Sequence, residues 1–260
     1  MRGLLLKDYY CLRRKLFVWG VTVLATTIVC VMFMISTKTG NIAMIYDKMA
    51  NSEDSMDAAL IPFLTRIVLT MFLLLPVAAS FDLIQYVFMD DKTASFYKVA
   101  SSLPLSRYRR VGERYLLLGI VIAVSFAVDA VLLLLVKLTS DLMPFIDSFQ
   151  IVLAFGGVSL FCATIALLFG YRFGAEAAIW GNLLGVIILI VAVVIRNFSF
   201  IKELFTVEGD DATLCILEGF TGAADFLEHK GVFVFLVSLP IAGAGYLLSV
   251  WIMGRKRGVA

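Results

Sequence analysis

Histidine is almost missing from this chain of 260 residues: there is one, His229. That excludes a zinc site built from histidines and leaves a histidine-based catalytic triad little to draw on. His229 stands beside Lys230 and reads as a solvated loop residue. No G-x-x-x-x-G-K-[ST] phosphate loop occurs, nor an H-E-x-x-H or a G-x-S-x-G element, so no catalytic constellation emerges. Cysteine is scarce too, at Cys11, Cys30, Cys162 and Cys215, with no Cys-x-x-Cys pair. On the topology derived below only Cys215 faces outside, so the four read as free thiols. There is no internal repeat and no low-complexity segment. The first apolar run is longer than the ~7–15 residues of a signal h-region, and no small-x-small site directly follows it, so a cleaved signal peptide is not expected.

Charge is the next shortage. Charged residues make up 16% of the chain and hydrophobic ones 61%, with a mean hydropathy of +0.96. Soluble domains run at about 25% charged and about 45–50% apolar. The sequence is therefore that of an all-α polytopic membrane protein. Six spans of about 20 residues, with loops, fill the length.

In chain order, residues 1–15 form an amphipathic segment with Leu5, Tyr9, Leu12 and Leu16 on one helical face. It suits an interfacial helix or a charged cap on the first span. The expected spans are 16–35, 61–89, 116–136, 149–169, 178–195 and 232–253, within one membrane domain over 16–253 and before a tail at 254–260. Basic residues concentrate in the N-terminal segment, the 90–115 loop, the 170–177 turn and the tail. Acids concentrate in the other loops, so the positive-inside rule makes both termini cytoplasmic. Trp19, Trp180 and Trp251 fall near expected cytoplasmic ends, as an aromatic belt would place them. The 196–231 loop, outside on this topology, has apolar stretches too short to span. They suit interfacial or re-entrant helices.

The 90–115 loop is the one long polar segment that is also strongly basic, with Lys92, Lys98, Arg107, Arg109, Arg110 and Arg114. Residues 93–101 suit a short helix with Phe96 on one side. Pro104 breaks it, Leu103 is pushed extended, and Ser106 can cap the third span. The loop reads as a docking surface for a soluble partner.

Three ionisable groups fall inside spans, where such groups usually face protein or water. Arg66 lies ~9 Å and Asp129 ~11 Å from the outer ends of antiparallel spans two and three, at ~1.5 Å per residue. An ion pair, or two groups lining a polar vestibule, is expected. Asp82 lies nearer the cytoplasm and fails on depth as a catalytic partner of Asp129. Gly181 and Gly185 form a G-x-x-x-G pattern that serves a dimer face or packing within the chain.

At Asp90-Asp91-Lys92 and Ser101-Ser-Leu-Pro-Leu-Ser-Arg107 the sequence resembles the ABC-2 type permease family, and in particular the small six-span permeases of Gram-positive bacteria. The opening Met-Arg-Gly-Leu-Leu-Leu-Lys-Asp is similar to their usual start, and Arg114-Tyr115 to the end of their first cytoplasmic loop. Thr93-Ala94 stands where that family usually has a glycine. The resemblance implies a type V exporter-like architecture in a bacterial plasma membrane. It implies a homodimer or paired permeases on two copies of an ABC ATPase. ATP and magnesium would be bound by that ATPase, and no cofactor or metal by this chain. Asp91, Lys92, Phe96, Tyr97, Ser102, Leu103, Pro104, Ser106, Arg107 and Arg110 would form the coupling region, with Arg172 a second contact. Spans one, two and five would line the dimer interface, with Gly181 and Gly185 on it. Relatives include exporters of amphipathic peptide toxins, the phenol-soluble modulin exporter among them. The expected function is an export permease without ATPase activity of its own. The alternatives are a non-transporting anchor, immunity or assembly subunit, and, more remotely, an intramembrane enzyme. No nucleic-acid partner is expected.

Overall fold

The computed structural model of the chain describes residues 2–39, 67–79, 106–139, 145–196, 198 and 210–256. No strand occurs among them. The elements are α1 (Arg2–Thr39), α2 (Ile67–Ala79), α3 (Arg107–Thr139), α4 (Phe145–Phe173), α5 (Ala175–Arg196) and α6 (Asp210–Lys256). Five of these are long and apolar enough to cross a membrane, and α2 is a shorter apolar helix. The expected spans 16–35, 116–136, 149–169, 178–195 and 232–253 lie within α1, α3, α4, α5 and α6, and the described part of 61–89 is α2.

The exposed surface explains the membrane class directly. Phe17 is 71% exposed, Trp180 67%, Ile195 71% and Phe233 63%, and such side chains recur along α1, α5 and α6. Apolar surface on this scale is stable only in a solvent that is itself apolar, and a helix is the element that satisfies its own backbone there.

Helix α4 is the centre. It packs most extensively on α6, then α5, then α3. Its sequence explains why: Ala154, Gly156, Gly157, Ser159, Ala163, Thr164, Ala166 and Gly170 are all buried small residues. A methyl group added at Gly157 would sit 3.0 Å from Phe235 Cα of α6. One added at Gly231 of α6 would collide with the Gln150 carbonyl of α4, and one at Gly156 with the Phe126 ring of α3. Without a hydrophobic drive between helices in lipid, such backbone contact supplies the packing energy. Helices α4 and α6 run parallel, and α3 and α5 run antiparallel to them.

Two apolar clusters follow. One joins Val111, Leu118 and Ile122 of α3 to Leu160, Ala163 and Leu167 of α4, Ala178 of α5 and Val250 of α6. The other joins Cys30 and Met34 of α1, Leu69, Leu73 and Val77 of α2, Leu132, Leu133 and Val136 of α3, and Val152 of α4. Cys30 and Cys162 are buried free thiols, as expected.

The structure sharpens the element boundaries in four places. Helix α1 is one uninterrupted helix, with no break between the amphipathic segment and the first span. It holds no proline, and neither Gly3 nor Gly20 interrupts it. Helix α3 begins at Arg107, so the last third of the basic loop is helix. The α4–α5 connection shrinks to one residue, Gly174, at φ +107° with its N–H donating to the Gly170 carbonyl at 3.0 Å. Only glycine adopts that left-handed conformation without strain. Finally, residues 210–231 continue into the last span as one 47-residue helix that carries Pro240 inside it. At ~1.5 Å per residue α6 is ~70 Å long, far more than the ~30 Å hydrocarbon core. Arg196 of α5 stacks on Phe226 of α6 at 3.9 Å, tying that extension to the bundle. His229 is solvated there as the sequence suggests, its Nδ1 2.9 Å from the Asp225 carbonyl.

The seam makes a prediction. Gly157→Ala and Gly231→Ala should each lower the unfolding midpoint in nanodiscs, by the equivalent of about 1–3 kcal/mol of overpacking. Gly119→Ala and Gly243→Ala, where a methyl group meets nothing within 4 Å, should leave it unchanged.

Candidate functional site

The start of α3 and the ends of α4 and α6 meet at a basic face. Ser106 begins it as an N-cap: its carbonyl accepts from the Arg109 and Arg110 N–H groups at 3.1 and 3.2 Å, and its Oγ from Arg109 at 3.4 Å. This is the cap expected from Pro104 and Ser106 in sequence. The first turns of α3 then divide into an outer and an inner side. Arg107, Tyr108 and Arg109 are exposed, while Arg110 is half-buried, Val111 buried and Glu113 buried.

The inner side is locked to the other two helices. Arg114 lies over the Tyr171 ring of α4 at 5.2 Å. Tyr115 meets Ser249 of α6, oxygen to oxygen, at 3.4 Å. Its ring packs edge-on against Tyr246 at 5.6 Å. Tyr246 in turn donates its hydroxyl to the Tyr108 carbonyl at 3.3 Å. The Arg107 guanidinium occupies the space over Gly254 that a side chain would fill. At the α4–α5 corner Arg172 is exposed, 5.8 Å over Phe173, and at the end of α6 Arg255 lies 3.9 Å over Trp251. The result is a braced end presenting guanidinium groups, which pair in forked geometry with carboxylates. The aromatic half of this brace was visible in sequence only as tyrosines at the helix ends. Their partners across α3 and α6 were not.

A second arrangement lies deeper. Trp19 Nε1 of α1 donates to the Pro76 carbonyl of α2 at 3.3 Å, and Ser125 Oγ of α3 shares its one hydrogen between that carbonyl at 3.2 Å and the Val121 carbonyl at 3.0 Å. One backbone oxygen thus pins three helices at one level. Asp129 is four residues beyond Ser125 on α3. Phe72 of α2 packs on the cluster that joins Cys30 to Leu132 and Leu133, three and four residues beyond Asp129 on α3. Asp129 is fully buried, near Cys30, and neither carboxylate oxygen has a hydrogen-bond partner among the described residues. An ionised side chain at mid-bilayer costs on the order of 2.5–3.5 kcal/mol on insertion scales.

Of the other residues singled out in sequence, Arg66, Asp82, Asp91, Lys92, Phe96, Tyr97, Ser102, Leu103 and Pro104 lie outside the described residues. The expected Arg66–Asp129 pair therefore does too. Gly181 and Gly185 are described, and both face α4 of the same chain. A methyl at Gly181 would lie 2.8 Å from Phe169 Cβ, and one at Gly185 3.0 Å from Cys162 Cα. Of the two uses the sequence left open for these glycines, this is packing within the chain. Among the described residues no group of His, Cys, Asp or Glu is arranged to hold a metal.

Fold and site together define a polytopic helical membrane subunit with a braced basic face at one end. The family described as ABC-2 family transporter protein matches residues 56–253, and the chain belongs to that family. It is a membrane permease of an ABC transporter, a class that generally works with an ABC ATPase subunit in a lipid bilayer. No curated protein and no solved structure matches it.

The pin yields a prediction. Trp19→Phe and Ser125→Ala should each destabilise the bundle by about 0.6 kcal/mol, the average for an interhelical hydrogen bond in a membrane. Because they share one acceptor, a double-mutant cycle read by unfolding in nanodiscs should show non-additivity. Strict additivity would mean that the two bonds act independently.

Proposed function

We propose that this chain is the permease of an ABC exporter, driven by a separate ATPase that docks on the basic face. The family match over residues 56–253 carries the reading. The geometry of the face supports the mechanism. A soluble ATPase meets the chain around the segment before Ser106, and Arg107 and Arg109 receive its acidic groups. Arg172, exposed at the α4–α5 corner, is a second contact. Force enters α3 at its cap. The Tyr115–Tyr246 and Arg114–Tyr171 contacts pass it to α6 and α4, so these three helices move as a block. ATP and magnesium are bound by the ATPase, and two copies of it serve two permeases.

The same reading orients the chain. The basic face lies in the cytoplasm, with both termini, in a bacterial plasma membrane. The extended first half of α6 lies outside. The broad apolar faces of α1 and α5 suit contact with a second permease as well as with lipid. The cargo class that fits the family resemblance is an amphipathic peptide, moved along the apolar surface between permeases.

The test is a mild-detergent pull-down of the tagged chain from its native membranes, with ATP hydrolysis assayed on the bound fraction. An Arg107→Glu/Arg109→Glu variant runs beside it. Both side chains are exposed, so the variant should fold with an unchanged unfolding midpoint. An ATPase should accompany the native chain and fall at least tenfold in the variant. Recovery of no ATPase with either chain would sink the docking reading. A bound ATPase without export by the reconstituted complex would leave an anchor or immunity subunit.

A further inference from the structure

An apolar groove of about 450 Å³ runs between α1 and α2, lined on α1 by Phe17, Val21, Ala25 and Val29 and on α2 by Phe72 and Leu75. That volume falls within the ~300–1,000 Å³ of small-molecule sites. The threonines along it are internally satisfied. Thr22 donates to the Val18 carbonyl at 3.0 Å and Thr26 to the Thr22 carbonyl at 2.8 Å. The groove therefore offers an apolar tail a surface with no unmet hydroxyl donor.

Behind it stands the unpartnered acid. Cys30, one turn beyond Thr26 on α1, feels the Asp129 carboxyl. Phe72, which lines the groove, also packs on the cluster that holds Cys30, Leu132 and Leu133. Phe72 thus belongs both to the groove and to the cluster of Cys30, Leu132 and Leu133, and Cys30 links that cluster to Asp129. No described cation offers this carboxylate a hydrogen bond. A fully buried carboxylate with both oxygens unmet is complementary to a positive group, and the adjoining groove to an apolar chain.

We infer that Asp129 and the α1–α2 groove form one cargo site for a cationic amphiphile, its apolar chain in the groove and its basic group on Asp129 once the Phe72 side chain gives way. The site rests on the exporter reading and narrows its cargo to amphiphiles carrying a positive charge.

Trp19, which follows the groove residue Val18 in the chain and bonds the Pro76 carbonyl next to Leu75, serves as the reporter. The full chain with Trp180→Phe and Trp251→Phe is placed in nanodiscs of neutral phosphatidylcholine. Trp19 quenching is then followed with a brominated alkyltrimethylammonium and with the brominated alcohol of equal chain length. The cation should saturate at a concentration at least tenfold below the alcohol. Asp129→Asn should remove that preference, and Asp129→Glu should keep it. Ala25→Phe, which fills the groove, should weaken both probes. Equal quenching by the two probes in the native chain would overturn the site, leaving the groove to lipid tails. So would an undiminished preference in Asp129→Asn. Absence of quenching, with a Trp19 signal that changes as chains are crowded in the disc, would overturn it in favour of a second copy. The exporter reading is scored separately, because ATPase co-purification should be the same for native chain and Asp129→Asn.

Discussion

At Gly157, Gly181 and Gly185 the helix α4 seam brings backbone against neighbouring chain with no side chain between, and the rest of the structure depends on that approach. Lipid tails are as apolar as leucine, so burying leucine against leucine gains little in a membrane. Contact density is what holds helices together there. The small residues of α4 supply it on three sides, to α3, α5 and α6. Aromatic side chains then fill the remaining corners, as Phe126 does over Gly156 and against Phe235 at 5.3 Å. A bulky residue on this seam would separate two backbones along several turns, because helices are stiff rods.

The bundle that results has two strengths. Helices α3 to α6 form a block, with backbone contact in the middle and the tyrosine–arginine brace at the basic end. Helices α1 and α2 are attached differently. Their side chains meet α3 through ordinary apolar packing, and a shared proline carbonyl fixes the level. Among the described side chains of α1, only Leu12, Thr26, Cys30 and Met34 are buried. The physical asymmetry follows from residue size alone: glycine and alanine along α4, threonine, cysteine and methionine along α1.

Much of this was legible in the chain. Hydropathy gave the class and the helices, because an apolar run near 20 residues has few other stable homes. The Pro104–Ser106 punctuation correctly marked the start of α3, because a proline and an N-cap act through local backbone geometry. The α4–α5 corner was seen as a turn but drawn too long, since a single glycine at positive φ does what eight residues were assigned to. The continuity of α6 was missed for a related reason, while that of α1 was one of the two readings left open. Amphipathic and charged stretches are as helical as apolar ones, so a change of composition marks where the solvent changes, not where a helix ends. The Gly181–Gly185 pattern showed that a close approach exists but not to which helix, because small residues describe a surface and not its occupant. The Pro76 carbonyl left no trace at all. A backbone acceptor is present at every residue, and only the fold selects the one that two side chains reach.

Asp129 sits on the line between the strong block and the weak layer, and that position matters more than its depth. A buried acid inside the α4 seam would have no neighbour able to move, and its desolvation would be a fixed loss of stability. On the face of α3 turned toward Cys30 of α1, the same acid is covered by side chains rather than by a backbone seam. Separating that cover from the block exposes the carboxyl, and restoring it buries the carboxyl again. Desolvation of the acid thus works against the packing of Cys30, Leu69 and Leu73 and sets how firmly the layer closes. An apolar residue at position 129 would close it harder. The contact that joins α1 to α3 thus also covers the buried acid.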